Sequence, residues 1–163
     1  MPSTIHLMHG FIGFGKTTVA KRLADELPAV RLNNDECMVL LYGRNQPEEQ
    51  FRENYDKVEN LIWELAAQII KAGTDVIIDL GAWSREGRKH QFTRAKKITE
   101  NVIFHNVICD MEVAKQRAVS RTESSEQEMF IDEDIFEALL KKFEPISPNE
   151  GYPVINHESQ NWV

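Results

Sequence analysis

The residues best suited to chemistry stand near the N-terminus. Gly10, Phe11, Ile12, Gly13, Phe14, Gly15, Lys16 and Thr17 follow the spacing G-x-x-x-x-G-K-[ST], and Thr18 comes directly after it. A loop that wraps a polyphosphate must turn its backbone N–H groups inward, and glycine permits the φ values this needs. A helix opening after the loop aims its positive end at the same anion. In this spacing Lys16 reaches the β- and γ-phosphates as a point charge, and the Thr17 hydroxyl completes a Mg²⁺ shell. The chain has no N-K-x-D guanine-reading motif. ATP and Mg²⁺ are the expected cofactors.

Phosphoryl transfer also needs a carboxylate to support the metal and one to accept the proton of the attacking hydroxyl. Asp35 lies just after a short strand candidate, Val30–Leu32, and Asp79 ends another after Val76–Ile78. Asp79 is the expected metal-side acid and Asp35 the expected base. Asn33, Asn34 and Asp35 could equally form the N-cap of a helix starting near Glu36. Arg117 and Arg121, four residues apart, share one helix face and could stabilise charge on the transferring group. Arg85 and Arg88, one turn apart after Asp79, and the ring of Trp83 are candidates for the acceptor side.

These residues must be brought together by the elements between them. Thr4–His9, Val30–Leu32, Asp75–Leu80 and Val102–Ile108 read as strands. Helical patterns cover Lys16–Leu27, Gln46–Ala72, Ser84–Thr99, Glu112–Arg121 and Asp134–Phe143. The stripe Phe51, Tyr55, Val58, Ile62, Leu65, Ile69 marks the longest helix, with Gly73 as its stop. Ser84 is a plausible N-cap, and Tyr152–Asn156, containing Pro153, reads as an edge strand. The alternation predicts an α/β fold: a parallel sheet with right-handed crossovers and helices on both faces. Ligands of such sheets sit beyond the carboxyl ends of the strands, where the loop, Asp35 and Asp79 converge.

With 163 residues the chain is expected to be a single domain, 1–163. It carries 19 Lys+Arg against 26 Asp+Glu, a net charge of -7, which argues against a general nucleic-acid coat or membrane binder. Thr122–Glu137 holds seven acidic residues and no basic one. Its first part, about 122–133, reads as a mobile lid. The basic run Arg85, Arg88, Lys89, Arg94, Lys96, Lys97 lacks the aromatic pattern of an RNA reader. Its later members are read as a solvated helix face. Cys37 and Cys109 cannot form a disulfide framework. No signal peptide or membrane span is visible, so a cytoplasmic location is expected. The five histidines show no metal-binding spacing, and His6 and His9 are read as hydrogen-bonded core residues.

Taken in order, the glycine-rich loop, Asn34-Asp35, the VIIDLGAWSREGR stretch, RAVSR and FEPISPNEGYPVI resemble the small P-loop kinases of the AAA-domain type. These are similar to polynucleotide 5′-hydroxyl kinase domains, chloramphenicol phosphotransferase and zeta toxins. The resemblance implies a three-layer α/β/α P-loop NTPase sandwich, nucleoside-kinase-like. It implies Asp35 as base, Asp79 on the metal side, and Arg117 and Arg121 as phosphate clamps. Arg85 or Arg88 would lie near the acceptor, and Pro148, Asn149 and Glu150 near the nucleotide base. Two departures stand out: Met38 where many members carry arginine, and Gly81 where many carry Thr or Asn. Both weaken a polynucleotide reading. The leading expectation is an ATP-dependent transfer of the γ-phosphate to a hydroxyl of a small molecule. The alternatives are a polynucleotide 5′-hydroxyl kinase and a non-catalytic ATP-binding switch. The oligomeric state is left open.

Overall fold

The computed structural model describes residues 2–124 and 131–159, with the backbone alone for 122–124. Strands β1 (Ile5–His9), β2 (Ala29–Asn33), β3 (Asp75–Asp79), β4 (Val102–Ile108) and β5 (Val154–Glu158) form one sheet in the order β2-β3-β1-β4-β5. Every neighbouring pair is parallel. The helices are α1 (Lys16–Glu26), α2 (Asn34–Tyr42), α3 (Glu48–Lys71), α4 (Arg85–Ile98), α5 (Met111–Ser124) and α6 (Glu133–Leu140). Most element bounds fall within one or two residues of the sequence reading. The exceptions are α5, which runs three residues further, and α6, which stops at Leu140 rather than Phe143. The lid expected over 122–133 falls mainly on 125–130, outside the described residues.

The central strands are apolar on both faces because helices cover both. One face packs Ile5, Leu7, Val76, Ile78 and Phe104 against Val58, Ile62, Trp63 and Ala66 of α3 and Ala95 of α4. The other packs Met8, Ile77 and Val107 against Val19 and Ala20 of α1, Ala114 and Ala118 of α5 and Phe136 of α6. Strands β2 and β5 lie at the edges, and all but His157 of β5 is exposed, as expected for a strand entered through Pro153. Helix α3 ends where Gly73 takes φ 85° and its N–H returns to the Ile70 carbonyl at 3.0 Å.

A polar thread crosses the sheet interior. His6 Nε2 lies 3.1 Å from Asp75, His6 Nδ1 lies 2.9 Å from His105 Nε2, and His105 Nδ1 lies 2.9 Å from His157 Nε2. Arg22 reaches His157 Nδ1 at 3.3 Å. With all three rings neutral and protonated on Nε2, each nitrogen has a partner, so the thread costs little desolvation. Burial and the two neighbouring rings push the His105 pKa down to about 3.

Candidate active site

The glycine-rich loop joins β1 to α1. Gly13 and Gly15 take φ 78° and 91°, a region side chains avoid. A Cβ on Gly13 would lie 2.0 Å from the Ala114 carbonyl oxygen of α5, so only glycine fits there. Phe11 and Phe14 turn into the core, with Phe11 against Trp83, Phe136 and Phe143. Gly10 packs on Val107 of β4. The loop is thus anchored by its side chains while its backbone borders a cavity of about 440 Å³.

Asp79 ends β3 beneath this cavity and is 1% exposed. Its Oδ1 receives Lys16 Nζ at 2.5 Å. Its Oδ2 receives Asn33 Nδ2 at 2.8 Å, Thr17 Oγ1 at 3.3 Å and Arg31 at 3.4 Å. Burial opposes its charge, but Lys16, Asn33 and Arg31 together hold its carboxyl below the usual range. Thr17 hydroxyl and Asp79 carboxylate form the adjacent hard-oxygen pair a Mg²⁺ ion takes. The glycine loop bordering the cavity, the helix start and Lys16 are the donor set a polyphosphate takes. The residues present therefore fit both groups.

Asn33 uses both ends of its side chain. Its Nδ2 donates to Asp79, and its Oδ1 accepts the Glu36 N–H at 2.8 Å, capping α2. The cap is therefore Asn33, and Asp35 lies in the first turn with its side chain open to the cavity. Protein walls crowd bulk water away from Asp35, which pushes its carboxyl pKa upward. Lys16 and Arg121 oppose that shift, and Asp79 and Glu36 add to it. Arg31, on β2, bridges Asp79 and Glu36, the latter at 2.5 Å.

The turn after β3 is strained. Gly81 has φ 88° and Ala82 φ 51°. The Ala82 carbonyl is held by His9 Nδ1–H at 2.8 Å and by Arg88 at 3.0 Å. These two donors stabilise a left-handed alanine that would otherwise relax. The turn brings Leu80, Gly81 and Trp83 to the cavity wall.

The expected residues therefore divide. Phe11, Ile12, Gly13, Gly15, Lys16, Thr17, Asp35, Trp83 and Arg121 line the cavity, with Asp79 joined to it through Lys16. Thr18 is exposed in the first turn of α1 and does not line it. Arg117 reaches the Ser159 carbonyl at 2.6 Å, its hydroxyl at 3.2 Å and Cys109 Sγ at 3.6 Å. Ser159 in turn donates to the Phe14 carbonyl, so Arg117 braces the loop from behind. Arg88 is 1% exposed and grips Glu150 through two bonds of 2.8 and 3.0 Å. That buried pair ties α4 to the 3-10 turn Pro148–Glu150, which corrects the placement of Arg88 at the acceptor. Arg85 bonds Asn149 at 2.9 Å. Arg85, Asn149 and Glu150 border a different, open groove with Lys89 and Tyr152, so no wall of the cavity comes from the Pro148–Glu150 turn.

The cavity also contains residues the motifs did not point to: Asn33, Glu36, Lys21, Phe51, Tyr55, Ile131 and Leu139. Arg31 joins them through Asp79. Phe51 and Tyr55 belonged to the apolar stripe of α3, where periodicity cannot separate a core ring from a pocket ring.

A parallel sheet with a glycine-rich loop after β1 and an acid closing β3 defines a P-loop NTPase fold. The chain belongs to a P-loop kinase family described as an AAA domain, whose profile matches residues 5–146. No curated protein matches the sequence. Solved structures share the fold at low identity. A Chloroflexus aurantiacus protein assigned provisionally as a kinase aligns with TM-score 0.76 at 18% identity, over 99% of this chain and 90% of that one. A sugar kinase from Janibacter sp. aligns with TM-score 0.63 at 21% identity, over 96% and 86%. Kti12 from Chaetomium thermophilum, in complex with ADP-AlF3, aligns with TM-score 0.68 at 16% identity, over 95% and 89%.

Proposed function

We propose that this chain transfers the γ-phosphoryl group of ATP to a hydroxyl of a small molecule, with Mg²⁺. The observation that carries this reading is the shared cavity. Lys16, Thr17 and the loop backbone border it, and the Asp35 carboxylate opens into it with no hydrogen bond of its own among the described residues. Thr17 and Asp79 would hold Mg²⁺, which when bound neutralises charge on the phosphates. Lys16 is preplaced by Asp79 and carries its charge to the phosphate loop. Asp35 accepts the acceptor's proton, and the upward pull of the surrounding protein on its carboxyl pKa strengthens it as a base. Arg121 adds positive charge where the phosphoryl group crosses. Arg117 acts through Ser159 and the Phe14 carbonyl to keep the loop in shape. The balance is simple: the bond from the γ-phosphorus to its bridging oxygen breaks, a bond to the acceptor oxygen forms, and ADP leaves. The described residues include no helix long and apolar enough to cross a membrane, and both described cysteines are free thiols. These features support action in the cytoplasm.

The test is labelled-phosphate transfer from ATP to a panel of hydroxyl compounds, with nucleotide binding measured by calorimetry. Lys16→Ala should weaken nucleotide binding. Asp35→Asn should keep it and lower kcat by about 10²- to 10⁴-fold. Equal labelling by wild type and Lys16→Ala would remove the assignment.

A further inference from the structure

We propose that the acceptor is an uncharged, ring-bearing alcohol, held by the apolar and aromatic wall of α2 and α3, with its hydroxyl presented to Asp35. This rests on the phosphotransferase reading and narrows it. The cations lining the cavity come from α1 and α5: Lys16, Lys21 and Arg121. The wall supplied by α2 and α3 is different. It consists of Val39, Phe51 and Tyr55, with Asp35 and Glu36 as its charged groups. The rings of Phe51 and Tyr55 are 5.9 Å apart and tilted by 36°, forming an aromatic corner. Leu80 continues the apolar surface from the end of β3.

Three consequences follow for a ligand on that wall. An anionic acceptor would face two carboxylates and, among the lining residues of α2 and α3, no cation. Met38, one turn beyond Asp35, is 1% exposed and packed in the core, so it offers nothing to a phosphate. Glu36 is engaged by Arg31, so that guanidinium is spent on protein carboxylates rather than on ligand. A polyol would leave most of its hydroxyls against Val39, Phe51 and Leu80 without partners, and unpaired polar groups are costly there. A ring would bury its faces on Phe51 and Tyr55 and present one hydroxyl to Asp35. In the transfer, that hydroxyl's proton passes to Asp35 as its oxygen bonds the γ-phosphorus and ADP departs.

The experiment compares 3-phenyl-1-propanol, its ring-carboxylated analogue 3-(4-carboxyphenyl)-1-propanol, glucose and a 5′-hydroxyl oligonucleotide. Two readouts are used: labelled-phosphate transfer from ATP, and quenching of tryptophan fluorescence on binding in the presence of a non-hydrolysable ATP analogue. The uncharged phenyl alcohol should bind and react at least tenfold better than the other three. Phe51→Arg should shift the ratio of the carboxylated to the uncharged probe by at least tenfold toward the anion. Transfer to glucose, the oligonucleotide or the carboxylated probe at an equal or higher kcat/KM overturns the inference and leaves the phosphotransferase reading intact. Equal binding of both phenyl probes, or an unmoved ratio in folded Phe51→Arg, also overturns it. Absence of transfer to all four, with the uncharged probe still bound selectively, overturns the phosphotransferase reading and keeps the wall's selectivity.

Discussion

His9 closes β1 immediately before the glycine-rich loop, and its ring makes the fold sensitive to acid. Its Nδ1–H donates to the Ala82 carbonyl and its Nε2 accepts the Ile146 N–H at 3.1 Å, so the neutral ring is fully satisfied. It also stacks on Phe143 at 5.2 Å. A second proton on Nε2 would point at the Ile146 N–H. Burial is the main cause of a pKa lowered from 6.5 to about 4. Arg88 lowers it further, and the Ala82 bond and Glu150 act in the other direction. The unfolded chain takes up this proton near pH 6.5 and the folded chain only near pH 4. Stability from His9 is therefore complete above about pH 6.5 and lost as pH falls toward 4, a total of about 3 kcal/mol. Urea unfolding followed by tryptophan fluorescence between pH 4.5 and 7.5 measures this. In His9→Asn, whose amide can still donate to Ala82, the slope of stability against pH near pH 5 should fall by about one proton, or about 1.4 kcal/mol per pH unit. His105, with its pKa pushed down to about 3, keeps its own contribution in both proteins. A variant slope equal to that of wild type would refute the reasoning.

Other perturbations separate site from scaffold. Gly13→Ala places a methyl into the Ala114 backbone at a positive φ and should abolish nucleotide binding, read by calorimetry, with a clear fall in Tm. Arg88→Met leaves Glu150 without its guanidinium; because Glu150 borders an open groove and still accepts the Ser147 N–H, the loss should lie near the lower end of the range for broken buried pairs, about 3 kcal/mol by urea unfolding. Nucleotide affinity should change less than stability in that variant, since His9 still holds the Ala82 carbonyl of the turn that reaches the cavity wall. Asn33→Ser keeps a capping oxygen for α2 but removes the donor to Asp79. Stability should fall by about 1 kcal/mol, and the Mg²⁺ concentration needed for nucleotide binding should rise.

Much was legible before the fold was seen, because the signals were local. A glycine loop before a helical pattern, β-branched runs ending in an acid, and an apolar stripe at helical spacing each depend on neighbours a few residues away. They set the alternation of strands and helices, the loop and its lysine, and the two strand-end acids. The fates of the arginines were not legible. Arg88 finds Glu150, 62 positions later, and Arg117 finds Ser159, 42 positions later. Nothing in an R-x-x-x-R or R-x-x-R spacing distinguishes a guanidinium that faces a cavity from one that braces a loop. Asn33 read as one of three possible caps, and only the approach of β3 gave its amide a second partner in Asp79. Arg31 drew no attention on an edge strand, yet parallel pairing sets β2 beside β3 and lets it bridge Asp79 and Glu36. Local patterns alone required that a glycine-rich loop meet two acids at the carboxyl end of a parallel sheet. Tertiary structure decided which charges stayed available there, because a buried guanidinium or carboxylate must find its counter-charge wherever the packed chain supplies one.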